Sequence, residues 1–188
     1  LEALGIKDAT PETIAFKMTE AFDRLQRAST AIANKDYDTA SYLAGIAQTK
    51  MSIVSSVLTR GDIENDKKLG KYTFEESKDK DSSEANNKIN ELKKTFTDRL
   101  ADMDTALAAA IKADNGNNLQ EAARQAGIAT LCASVINIAN TMAISMKAQA
   151  DDPKQFNARL KAGLDELKTK LEALGIKDAT PETIAFKM

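Results

Sequence analysis

The chain has 188 residues, with 26 lysine and arginine residues, 28 aspartate and glutamate residues, a single cysteine, and neither histidine nor tryptophan. Without histidine these residues cannot supply a Ser-His-Asp triad, a Cys-His pair or a histidine-ligated zinc or haem, and one cysteine excludes an intrachain disulfide framework. A formal net charge of −2 argues against a dedicated binder of nucleic acid or of anionic membranes.

Apolar residues recur at helical spacing almost throughout, beginning with two predicted helices. Thr10-Pro11-Glu12 is typical of a helix start, with threonine as N-cap and proline in the first turn. The first helix is predicted to run to about Asn34, with an apolar stripe in heptad spacing. The second is predicted from about Asp36 to about Thr59.

A long charged connection is predicted over residues 60–82, starting at Arg60-Gly61-Asp62. Leu69, Tyr72 and Phe74 are its possible anchors to the bundle. Arg60, Gly61 and Asp62 spell an integrin-type adhesion tripeptide, which makes them a candidate exposed-loop contact. A glycine followed by an acidic residue is also ordinary helix-stop chemistry, and this second interpretation is favoured.

Two longer helices are predicted next. One begins at Ser82 or Ser83 and runs to about Ala113, and a turn follows in which Gly116 is expected to adopt a positive φ. The other spans about Asn118 to Ala150. Its apolar residues lie on more than one face, which predicts a central, largely enclosed helix.

The fifth predicted helix follows Asp151-Asp152-Pro153 and ends near Gly175, which is placed as a left-handed C-terminal cap. Its leucines recur mainly at three- and four-residue spacing, which is typical of a bundle seam. They are Leu160, Leu164, Leu167, Leu171 and Leu174. No segment has a convincing strand pattern.

The two ends of the chain share one sequence: residues 1–18 and residues 171–188 both read LEALGIKDATPETIAFKM. The favoured explanation is a tandem array of 170-residue units, in which residues 1–4 end the last helix of a preceding unit and residues 171–188 start the next. The alternative is an engineered duplication, in which the two copies compete for one groove of a bundle whose parent is a protein-binding effector, a chaperone or a sensor domain.

Five helices per unit raise a question of direction. If every connection reversed the chain, the first helix of the next unit would point the opposite way. A long connection that crossed the bundle would make the second and third helices parallel and restore a translational repeat. An antiparallel pair would overturn this hypothesis.

Reactive groups are few. Cys132 lies in the most apolar helix and is expected to be a buried, inert thiol. Asp62, Glu64 and Asp66 alternate like the start of a calcium loop, but Lys67 and Thr73 occupy the positions that need glycine and an acidic residue. No cofactor, metal or catalytic group is therefore expected, nor a nucleic-acid partner or a membrane span.

The sequence thus predicts an all-α, elongated bundle of about five helices without a sheet. The expected function is non-enzymatic: a structural or interaction module that forms a rod, stalk or filament with neighbouring copies of itself. Another protein partner is possible, and the compartment stays open. The residues predicted to form the unit junction are Leu171, Leu174, Gly175, Thr180, Pro181, Ile184 and Met188.

Overall fold

The computed structural model describes residues 11–79 and 82–175, and these residues form an all-α bundle of five helices with no strand. The helices are α1 (Pro11–Ala33), α2 (Tyr37–Lys68), α3 (Ser83–Asn115), α4 (Leu119–Asp151) and α5 (Pro153–Ala173). The predicted fold class is confirmed. At ~1.5 Å per residue the three middle helices are each about 50 Å long, which makes the molecule elongated.

Short polar side chains set where three of the helices begin. Each of these N-cap side chains accepts a hydrogen bond from the backbone amide three residues later, satisfying a donor that the helix cannot satisfy itself. The pairs are Asp36 with Thr39, Asn118 with Glu121, and Asp152 with Gln155. The hydrogen bonds from Thr39 also lower the pKa of Asp36.

Two turns were predicted to contain a glycine in the left-handed conformation, and one of them does. Gly175, which follows the C-cap residue Leu174 of α5, has φ +78°, so the predicted left-handed C-terminal glycine is confirmed. Gly116 has φ −85°, and the left-handed residue between α3 and α4 is Asn117, with φ +57°. Asparagine tolerates this conformation better than other side-chain-bearing residues.

The predicted end of the second helix is wrong. Helix α2 passes through Arg60-Gly61-Asp62 and continues to Lys68, so the connection to α3 is much shorter than residues 60–82. An interior glycine costs a helix only about 1 kcal/mol relative to alanine, and the packing of Arg60 and Ile63 into the bundle offsets that cost.

The helices form two hairpins, α1 with α2 and α3 with α4, and α2 joins the hairpins by packing on α4 and α3. Lys50 and Arg60 of α2 pair with Asp114 and Asp104 of α3. Because the residue numbers rise in one helix and fall in the other, α2 and α3 are antiparallel. The hypothesis of a parallel pair is therefore wrong, and the chain reverses at residues 69–82.

The apolar core runs between α2, α3 and α4. Its largest fully buried side chains are Ile53, Val57, Ile89, Met103, Leu107 and Ile136. Helix α4 meets this core mainly through alanines, which allow a close approach to α3 and α2. Its other face exposes Leu131 and Ile138 at 67% and 56%, so the prediction of an enclosed helix is wrong.

The connection between α2 and α3 is held down by two of its three predicted anchors. The rings of Tyr72 and Phe74 lie 5.0 and 5.3 Å from the ring of Phe96. The Tyr72 hydroxyl also donates a hydrogen bond of 2.9 Å to Asn137. Leu69 is 71% exposed and anchors nothing. The segment is therefore fixed on the α3–α4 hairpin, although it contains no regular element.

Candidate functional site

Helix α5 is the least packed element of the molecule. None of its 21 residues is buried, and among the other helices it contacts α4 most, where the two meet at Asp152. Leu160, Leu164 and Leu167 are 54%, 47% and 44% exposed. These leucines with the half-buried Leu171 form a seam, called here the α5 seam, that finds no partner helix among the described residues. An amphipathic helix of this kind normally buries such a face.

The predicted junction residues fall partly within the described chain. Leu171 is half-buried, Leu174 is exposed, and Gly175 caps α5. Thr180, Pro181, Ile184 and Met188 lie outside the described residues. Their counterparts in the first copy are described from residue 11 onward, and those form the first two turns of α1.

Ile14 and Lys17 anchor the described part of the first copy of the repeated segment. Ile14 packs against the core, and the Lys17 ammonium donates hydrogen bonds to Asp114 and, at 3.2 Å, to Asn115. Phe16 and Met18, on other sides of the same turns, are 63% and 44% exposed. The segment therefore contacts the bundle on one side and exposes large apolar side chains on others.

Asp114 is the centre of a buried ion cluster that joins three helices. Its side chain is 1% exposed, and Lys17 of α1 and Lys50 of α2 both donate to it. The Lys50 ammonium lies 3.1 Å from Asp114 and 2.9 Å from Glu20. Two ammonium groups and two carboxylates balance in charge, which is the condition for burying them together.

The electrostatics of Lys50 reflect this balance. Burial alone would lower the pKa of the Lys50 ammonium, but hydrogen bonds from it to Glu20 and Asp114 outweigh burial and raise that pKa above its ordinary value. The lysine therefore stays charged at neutral pH. Lys50 therefore holds its charge in place and offers no neutral amine that could act as a nucleophile or base.

The candidate adhesion tripeptide is not an exposed loop. The Arg60 side chain is 1% exposed, and its guanidinium makes two hydrogen bonds, of 2.7 and 3.2 Å, to Asp104 of α3. A third, of 3.4 Å, reaches Glu64. Arg60, Gly61 and Asp62 thus lie within a regular helix, and Arg60 ties α2 to α3. The prediction of an exposed contact here is wrong, because α2 does not end at this point.

A second candidate surface, besides the α5 seam, is an open groove over α2, called here the α2 groove. The groove has a volume of about 410 Å³. Its lining residues are Leu25 of α1, Thr130 of α4, and Ala44, Gln48, Met51, Ser52 and Ser55 of α2. Since α2 packs against both α1 and α4, α2 is the floor of the groove and the other two helices are its walls.

The rim of the α2 groove is apolar. Met18, one heptad before Leu25 on α1, is 44% exposed, and Leu25 itself is 40% exposed. Met51 and Leu58, one heptad apart on α2, are 54% and 56% exposed. Residues seven apart lie on the same helix face, so Met18 and Leu58 continue the apolar faces on which the lining residues Leu25 and Met51 lie. An open groove flanked by such apolar faces is the kind of surface that an amphipathic helix binds.

Reactive chemistry is sparse in the described part of the chain. The Cys132 side chain is 5% exposed, as predicted, and burial raises the pKa of its thiol. Asp62, Glu64 and Asp66 are spread along a helix, and no group of three histidine, cysteine or acidic residues in the described ranges is placed to hold a metal ion.

Among the described helices, one meets the length and composition criteria for a membrane span. Helix α4 contains an 18-residue window with mean hydropathy 1.6, a third of which is buried inside the bundle. Core helices of bundles in water pass the same test, so this finding assigns α4 to neither environment. The expectation of no membrane span therefore stays a prediction.

Comparisons with protein-family models, curated protein sequences and solved structures find no match to this chain.

Proposed function

We propose that this chain is a structural module, one unit of a tandem α-helical array whose units join end to end into a rod or stalk. The observation that carries the proposal is the combination of a lone helix with a repeated sequence. Helix α5 leaves the bundle with none of its residues buried and leads directly into a second copy of the sequence that starts α1. A helix in this position acts as the link between one bundle and the next.

The rest of the molecule suits a mechanical role. The bundle is long, and buried ion pairs at Asp114 and Arg60 fasten α1, α2 and α3 at separate levels. Such pairs fix the register between helices, because a slipped register would leave a buried charge without a partner. The proposal therefore includes no catalysis and no cofactor.

The proposal is tested by comparing chains of one, two and three 170-residue units in small-angle X-ray scattering. Rod assembly predicts that the maximum dimension grows by a constant increment with each unit, while the cross-sectional radius stays the same. Units that collapse onto one another, or that move freely about a flexible link, would give a sub-linear increase and would contradict the rod.

A second reading is supported by the anchoring of the repeated segment. Lys17 binds Asp114 in the structure, and the second copy of the segment carries the matching Lys187. Two copies within one 188-residue chain would compete for a single Asp114. In Lys17→Glu, Lys187 of the second copy would then bind Asp114 instead, and the melting temperature would stay nearly unchanged. The tandem array predicts a large loss of stability for the same variant.

A further inference from the structure

Two surfaces of this molecule lack a partner among the described residues. The α5 seam is a row of leucines on a helix with no buried residue, and the α2 groove is an open channel flanked by the exposed apolar side chains of Leu25 and Met51. We propose that the α5 seam of one copy docks into the α2 groove of the next copy, as an added helix beside α1. This inference deepens the proposed function, on which it rests, by naming the surfaces through which consecutive copies meet.

The register between the repeated segment and α1 supports this pairing. In an array whose next helix starts at Pro181, as α1 starts at Pro11, the seven residues 174–180 would join α5 to that helix. A connection of this length is typical of two antiparallel neighbouring helices. In an array, the α5 of each copy would therefore turn back along the α1 that follows it.

In an antiparallel pair, residues equally far from the connection lie opposite one another. Leu167, seven residues before Leu174, would therefore lie opposite Met18, which is seven residues after Pro11. One heptad further out, Leu160 lies opposite Leu25. Leu25 lines the α2 groove, Met18 lies on the same face of α1, and the leucines belong to the α5 seam, so the two rows would meet in step over two heptads.

The molecule's own α5 is too short to fill the groove. Thr130 marks the groove wall on α4, and 22 residues separate it from Asp152, where α5 begins. That is about 33 Å of helix, whereas Leu167 lies only about 22 Å along α5 from Asp152. Even folded flat against α4, most of the seam would end short of the groove. An α5 that fills this groove must therefore come from another copy.

The chemistry of the seam also favours the groove over a second α5. Lys161 and Lys168 flank the seam on one side at heptad spacing, and both are exposed. In an antiparallel α5–α5 pair these lysines would face each other, and like charges at such positions oppose pairing. The residues that line the α2 groove carry no charge, so the groove presents no such repulsion.

The experiment is a pair of complementary single variants of the 188-residue chain, studied by sedimentation velocity. Leu164→Lys disrupts the seam, and Met51→Lys disrupts the lining of the groove; both side chains are about half exposed, so folding should persist. Ala162→Lys, on another face of α5, and Ile144→Lys, on α4 outside the groove lining, are the matched controls. Circular dichroism verifies that every variant melts as the parent does.

Docking between copies predicts concentration-dependent, head-to-tail association of the parent chain. Each disrupting variant should weaken association at least ~10-fold, as expected for placing a charge where a leucine-sized side chain is buried, and each control should change it less than ~3-fold. The decisive result is complementation: Leu164→Lys retains an intact groove, Met51→Lys retains an intact seam, and their mixture should form a 1:1 dimer that neither forms alone.

Three outcomes would overturn the inference. Sensitivity to Leu164→Lys without sensitivity to Met51→Lys would show that the seam pairs with another surface, such as a second α5. Absence of the mixed dimer would exclude the groove as its acceptor. A parent chain that stays monomeric at ~1 mM would also exclude docking, since linked copies meet at about that effective concentration. The scattering test of the rod is independent, because a rigid α5 could link units without any docking.

Discussion

Lys17 in the second turn of α1 donates a hydrogen bond to Asp114 at the end of α3, across 97 residues of sequence. Lys50 of α2 binds the same carboxylate. This one buried aspartate therefore connects the repeated segment to both hairpins. The relationship links the local architecture to the proposed array, because every unit that begins with this segment brings a lysine and needs an Asp114 to receive it.

Removal of the Asp114 carboxylate should be strongly destabilising. Asp114→Asn leaves two buried ammonium groups facing an amide, and loss of one partner from a buried ion cluster typically costs about 3–5 kcal/mol. Urea unfolding measures this cost. Asp98→Asn is the matched control, since Asp98 pairs with Lys94 at the surface and should cost less than about 1 kcal/mol. Equal losses for the two variants would contradict a structural role for the cluster.

The ion cluster also predicts how stability depends on alkaline pH. Since the folded-state pKa of Lys50 is raised, its contribution is fully present below the ordinary lysine value of 10.5 and is lost as the pH rises through the higher folded value. Lys71 and Lys147 also have raised pKa values, so the parent alone is not diagnostic. The difference in melting temperature between the parent and Lys50→Met should be constant from pH 7 to 9 and shrink above about pH 10.5. A difference in melting temperature that stays the same above pH 10.5 would contradict the raised pKa of Lys50.

Arg60 should behave as a core residue. Arg60→Ala removes a buried guanidinium and leaves Asp104 without its partner, which predicts a loss of about 3 kcal/mol or more in urea unfolding. Arg99→Ala, at an exposed pair with Asp102 on α3, should cost less than about 1 kcal/mol. A small effect of Arg60→Ala would restore the exposed-loop interpretation that the structure overturns.

Gly163 within α5 and Gly175 just after it provide a test of the helix's independence from the bundle. Gly163→Ala should stabilise α5 by roughly 0.5–1 kcal/mol, because alanine favours a helix interior and a Cβ there meets nothing within 4 Å. Gly175→Ala should destabilise its C-terminal end, because φ +78° strains any residue with a side chain.

Hydrogen exchange of the α5 amides reads out both glycine changes. Protection should rise in Gly163→Ala and fall near residue 173 in Gly175→Ala. The melting temperature of the α1–α4 bundle should stay the same in both variants, because α5 buries no residue. A shift in that melting temperature would show that α5 belongs to the cooperative core.

The Cys132 thiol should be unreactive in the native state. It is 5% exposed, and burial raises the pKa of the thiol, so both access and thiolate population are reduced. Alkylation at pH 8 should be at least ~100-fold slower than in urea-unfolded protein. Rapid native alkylation would contradict the burial of this face of α4.

Helix number, order and approximate ends could be predicted because they depend on local signals. Asp36, Asn118 and Asp152 are strong caps, and heptad patterns identify the helix bodies. The end of α2 was mispredicted at Gly61, where tertiary packing of Arg60 outweighs the local propensity for a stop. The ion cluster could not have been predicted, because Lys17, Lys50 and Asp114 are far apart in sequence and resemble solvated charges.

Of the two surfaces without a partner among the described residues, the sequence predicts only the α5 seam. The leucine spacing of α5 identifies a seam, but the same spacing in α1 and α2 predicts a core face for Leu25 and Met51. Only the arrangement of the hairpins shows that these two residues border an open groove. The apolar spacing within one helix does not show which neighbouring helix packs on its apolar face.

The central claim, that this sequence is one unit of a tandem array, is tested most directly by the intact mass of the polypeptide in its source. The account predicts a mass that contains several 170-residue units, with the sequence after Met188 continuing as it does after Met18. A source polypeptide of 20.3 kDa, the mass of these 188 residues alone, would contradict the array.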